Sequence, residues 1–117
     1  MQFDTPSVKQ RFDGDKRFFL ELCGIFFEQY GPRAEEMKSA LHEGQLEKVR
    51  AAAHYVKGAL LNLGAESASI QAAALEHASR ENRAEELPKF IEALEREIES
   101  FKVLVAKIES GDIWEKA

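Results

Sequence analysis

Seven apolar residues near the C-terminal end, Leu87, Ile91, Leu94, Ile98, Phe101, Val105 and Ile108, are spaced alternately four and three apart. On a helix turning about 100° per residue, that spacing puts all of them on one stripe. A strand would scatter them over both of its faces. Such a stripe is the seam of a helix packed in a bundle. The segment is read from about Ala84 to Ser110, with Pro88 in its first turn, where a missing N–H does little harm.

The rest of the chain is punctuated by Gly and Pro between segments of helical periodicity, without strand-like alternation, low-complexity stretches or clear repeats. A short helix starts near Thr5 with Pro6 at its first position. A second runs from about Asp15 to Tyr30 and is ended by Gly31-Pro32. A third covers about Pro32 to His42 and stops at Gly44. A fourth runs from about Gln45 to Leu63, with Gly64 as its stop. A fifth covers about Glu66 to Arg80, before Asn82. Short connections favour antiparallel neighbours. The expected fold is all-α: an up-and-down antiparallel four-helix bundle with a short N-terminal helix. The second helix carries Phe18, Phe19, Leu22, Cys23, Ile25, Phe26, Phe27 and Tyr30, so it is apolar on more than one side. One side enters the core. The other lies under the N-terminal segment or forms a docking patch.

A length of 117 residues suits one domain, 1–117, with a core over about 12–110. The net charge of −5 argues against a nucleic-acid partner held by phosphate contacts. No apolar run approaches the roughly 18 residues of a membrane helix, so no membrane role is expected. The opening MQFDTPSVKQRF lacks a signal-peptide pattern. Cys23 is the only cysteine, so no intramolecular disulfide can form, and a cytoplasmic location is expected.

Within the fourth helix, Leu46, Val49, Ala53, Val56, Leu60 and Leu63 form the core stripe. His54 lies roughly 120° from its centre and faces outward or sits at the boundary. Lys57 is one turn on and nearer the core edge. Gly58 at i+4 and Leu61 at i+7 share the histidine's side. An outward imidazole is a reachable nucleophile with a free lone pair. Lys57 places a cation where charge would appear on a group attached to His54. Gly58 costs about 1 kcal/mol relative to alanine in a helix interior, but it clears room beside the ring. Ala51, one turn before, is also small, and Leu61 adds an apolar rim. Chance also produces a surface histidine with such neighbours, and a glycine can serve close helix packing, so spacing alone leaves the structural reading open.

The combination resembles the histidine-containing phosphotransfer (HPt) domain of multistep two-component signalling. Its His-x-x-Lys-Gly signature reads here His54-Tyr55-Val56-Lys57-Gly58, followed by Asn62-Leu63-Gly64-Ala65. "GDKRFFLELCGIFFEQY" resembles the family's first bundle helix, and "AEEMKSALHEGQLEKVRAAAH" its second helix, turn and start of the third. "LEHASRENRAEELPKFIEALEREI" resembles the end of the fourth helix and the fifth segment. The resemblance covers about residues 12 to 101. It implies that His54 accepts a phosphoryl group from a receiver-domain aspartate and passes it to another response regulator. Lys57 then stabilises the phosphoryl group and Gly58 gives clearance. Ala51, Leu61 and Glu76 belong to the partner-binding set, Glu76 being carried over from a position that is often Gln or Glu near the histidine. Leu60 and Leu61 are bulkier than the family's usual residues.

The implied partners are receiver domains and a hybrid sensor histidine kinase, and the implied state is a monomer. No cofactor of its own is expected, and Mg²⁺ belongs to the receiver. The chain shows no P-loop and no kinase motif set, so it is read as a phosphocarrier and not an enzyme. A phosphoacceptor domain of a chemotaxis-type kinase and a non-phosphorylated receiver-binding bundle are the alternatives. The three histidines have no metal-ligand spacing on one helix, so no metal site is expected. His42 is read as a helix C-terminal residue, His77 as an ordinary helix residue, and Trp114 as packed back on the bundle or in a tail.

Overall fold

The structure, a computed structural model, describes residues 3–117, leaving the first two residues of the expected 1–117 domain outside it. Among these residues there are helices and no strands. They are α1 (Thr5–Arg11), α2 (Lys16–His42), α3 (Leu46–Asn62), α4 (Glu66–Arg80), a 3₁₀ turn (Ala84–Glu86), α5 (Leu87–Ser110) and α6 (Ile113–Lys116). Helices α2 to α5 form the four-helix bundle, and the described residues together span 46 × 21 × 20 Å. All seven residues of the α5 seam are buried, and so are Val49, Ala53, Val56, Leu60 and Leu63 of the α3 stripe.

The structure corrects one boundary. Gly31-Pro32 does not end a helix, and the two expected segments on either side are one 27-residue helix, α2. The segment read as a separate helix, from about Pro32 to His42, and likened from Ala34 on to the family's second helix, is the C-terminal part of the first bundle helix. The reason is packing. The apolar spacing of Phe19, Cys23, Phe26 and Tyr30 continues through Ala34, Met37 and Ala40, so the core stripe crosses the proline unbroken. Pro32 is exposed, and a proline on the outer side of a helix leaves the carbonyl it cannot serve where water can reach it.

Both ends of the chain fold onto one end of the bundle. Trp114 of α6 is buried, stacks on Phe19 at 5.1 Å between centroids, and donates its indole N–H to the Gly14 carbonyl at 3.2 Å. Val8 of α1 is also buried, so the core extends beyond residues 12–110 on both sides. Phe3, Phe12 and Trp114 cover Phe19 of the core stripe. Off that stripe, Leu22 and Phe27 are half-buried against the core, whereas Phe18 and Ile25 stay exposed. The second apolar side of α2 is therefore partly covered and partly open.

The α3–α4 turn explains the Leu63-Gly64-Ala65 sequence. Gly64 has φ +79° and closes a Schellman motif. Its N–H donates to the Leu61 carbonyl at 3.1 Å, and the Ala65 N–H donates to the Leu60 carbonyl at 2.9 Å. The Arg11 guanidinium then donates to the Leu61 and Asn62 carbonyls at 2.8 and 2.9 Å. That places a cation on the negative end of the helix carrying His54.

Candidate functional site

The core stripe of α3 fixes what faces out. With Ala52, Ala53, Val56 and Leu60 buried, His54 must point away from the core, and its side chain is 64% exposed. Gly58, Ala51 and Leu61 are exposed on the same helix. A Cβ added to Gly58 would meet nothing within 4 Å, so no neighbour within the chain requires glycine there. Lys57 is half-buried at the edge facing α4.

Glu76 on α4 is placed differently from Ala51 and Leu61. It is only 5% exposed and sits behind the surface instead of on it. Its Oε2 lies 2.8 Å from His54 Nδ1, and its Oε1 accepts from Lys57 Nζ at 2.7 Å. Arg80, one turn along α4, donates to Oε2 at 3.2 Å, and an Arg50 nitrogen stands 4.0 Å from the same oxygen. Arg50 is itself paired with Glu47. A buried carboxylate needs such partners, because unpaired burial is costly. Burial pushes the Glu76 carboxyl up, but the hydrogen bonds and charges of Lys57 and His54 outweigh it and hold the group below the usual carboxylate range.

That ionisation assigns the imidazole hydrogen. An ionised carboxylate only accepts, so Nδ1–H of His54 donates to Glu76. In the neutral ring the lone pair is then on Nε2, directed away from the carboxylate. Helix spacing placed His54 and Lys57 together and the resemblance added Glu76, but neither pointed to Arg50 or Arg80. One signal was available. Arg50, His54, Lys57 and Leu61 repeat at spacings of four, three and four, a second stripe beside the core stripe.

The other histidines are apart from this cluster. His42 ends α2, and His77 pairs with Glu81 at 3.3 Å. Among the described residues, no group of three or more His, Cys, Asp or Glu could hold a metal ion. Among the same residues, no helix is long and apolar enough to cross a membrane.

Fold and site together define a four-helix bundle that presents one solvent-facing imidazole backed by a buried carboxylate. The family model of the Hpt domain matches residues 21–103. The chain belongs to that family and is a histidine-phosphotransfer intermediate of phosphorelay signalling. Hpt proteins are phosphocarriers that work with receiver domains and kinases. Among solved structures, it is similar to histidine-containing phosphotransfer protein B from Pseudomonas aeruginosa, with a TM-score of 0.82 and 24% identity over 90% of this chain and 91% of that one. At that identity the likeness speaks for the fold. No curated protein sequence matches the chain.

Proposed function

We propose that His54 is the phosphoacceptor and that Nε2 is the reacting atom. The observation that carries this is the 2.8 Å contact between His54 Nδ1 and buried Glu76, which leaves the other ring nitrogen facing solvent. A receiver domain brings an aspartyl phosphate in line with Nε2. The Nε2 lone pair forms the N–P bond as the P–O bond to the aspartate breaks. The bonding electron pair leaves with the aspartate, which is released as a carboxylate. The ring keeps its proton on Nδ1 and becomes cationic, and Glu76 stabilises that charge without moving. The reverse steps hand the phosphoryl group to a second receiver.

Lys57 supports the transferred group. Its ammonium has three donors, so one can stay on Glu76 while another turns to a phosphoryl oxygen. Gly58 and Ala51 keep the approach clear, and Leu61 is an exposed apolar contact for the partner. The chain acts in the cytoplasm as a monomer and has no kinase site of its own. Its phosphoryl groups come from the receiver of a hybrid sensor kinase. That receiver supplies the Mg²⁺.

The test is transfer of labelled phosphate from a phosphorylated receiver. Wild-type protein should take up the label and His54→Gln should not. Normal uptake by the variant would overturn the assignment.

A further inference from the structure

The ring of Tyr55 is exposed yet held. Its hydroxyl donates to Gln29 Oε1 at 3.0 Å, and the Arg33 guanidinium carbon lies 3.7 Å from the ring centroid. Gln29 and Arg33 stand one turn apart on α2, so two contacts from a neighbouring helix fix a side chain that is 44% exposed.

Its position relative to the site follows from helix geometry. Tyr55 lies about 100° around α3 from His54, on the side facing α2, while Lys57 and Glu76 flank the imidazole on the side facing α4. Gly58 and Ala51 fall between His54 and Tyr55, at about 40° and 60° on the same projection. Both are exposed. The surface therefore has a low floor, with the imidazole at one edge and a fixed aromatic at the other. Beyond the aromatic lies a recess of about 570 Å³ that includes Glu28, Pro32 and Glu36 in its lining.

We propose that Tyr55, held by Arg33 and Gln29, is a specificity-determining anchor for the receiver domain, which seats over Gly58 and Ala51 from the α2 side. The inference rests on the phosphotransfer reading above and adds the direction of approach. An aromatic already fixed in place loses little conformational freedom on binding. Its hydroxyl is satisfied by Gln29, so covering it leaves no orphaned polar group. Aromatic anchors of this kind carry a large share of interface energy.

The experiment is single-turnover transfer from a panel of labelled phosphorylated receivers at varied concentration. It compares wild type, Tyr55→Ala and Arg33→Met, with circular dichroism to show intact helices. For the best receivers, Tyr55→Ala should raise the half-saturating concentration about tenfold or more, with the saturated rate within about twofold of wild type. Arg33→Met keeps the ring but removes one of its two restraints, and should shift half-saturation a few-fold in the same direction. The ranking of receivers should change in both. Half-saturation within about twofold of wild type for Tyr55→Ala, with wild type transferring normally, would overturn the inference and leave the phosphotransfer reading intact. If no receiver labels wild type, the phosphotransfer reading itself fails, and this one with it.

Discussion

Glu76 Oε2 and His54 Nδ1 lie 2.8 Å apart across the α3–α4 packing, and the carboxylate also takes a hydrogen bond from Lys57. Removing it leaves Lys57 and Arg80 without their shared anion and frees the ring to turn or change tautomer. Glu76→Ala should cost about 1–3 kcal/mol in urea melts, the usual penalty for orphaned partners. It should also slow transfer. Glu76→Gln keeps an acceptor for Nδ1–H and should be milder on both counts. Equal loss in the two variants would show that shape at position 76 matters and the hydrogen bond does not.

The same carboxyl makes stability depend on pH in a defined direction. Its folded value is depressed, so the bonded form stabilises the protein above the ordinary carboxylate range, and that contribution fades as pH falls through the folded value. Glu47 and Glu115 are also held low by Arg50 and Lys16, so the wild-type acid loss has several sources. Urea midpoints measured from neutral pH into the acid range should fall, and Glu76→Gln should fall less steeply. Parallel curves for the two proteins would contradict the coupling.

Gly58 separates stability from transfer. Nothing in the chain fills the space at its Cβ, so Gly58→Ala should raise stability by up to about 1 kcal/mol through helix propensity. A large residue there should leave the circular dichroism helical and slow transfer, because it stands beside the ring. Undiminished transfer with a bulky residue at 58 would remove the clearance role.

Gly64 responds in the opposite way. Its φ of +79° disfavours any side chain, and an added Cβ would clash with Val8 Cγ2. Gly64→Ala should lose about 1–2 kcal/mol from the left-handed backbone alone, with the clash added. In Gly64→Ala with Val8→Ala, the combined loss should be smaller than the sum of the single losses, because the second change removes the clash. A strictly additive double variant would show that α1 does not press on this turn.

What the sequence made legible was one-dimensional. The α5 seam and the α3 stripe follow from spacing along single helices, and their burial agrees with it. The stop at Gly31-Pro32 failed because a proline on the outer side of a helix costs little when the core stripe continues past it, from Tyr30 to Ala34 and Met37. The Glu76 cluster depends on the register between α3 and α4, which no single-helix pattern contains. Arg80 reaches it from the next turn of α4, and Arg50 from one turn before His54. The Tyr55–Arg33 pair needs the α2–α3 register in the same way.

The central claim concerns one atom. After transfer from a labelled receiver, the phosphate can be located by mass spectrometry of peptides and its ring nitrogen assigned by NMR. The account predicts a base-stable, acid-labile phosphate on Nε2 of His54. Phosphate on Nδ1 of His54, or on His42 or His77 with His54 unlabelled, would contradict it.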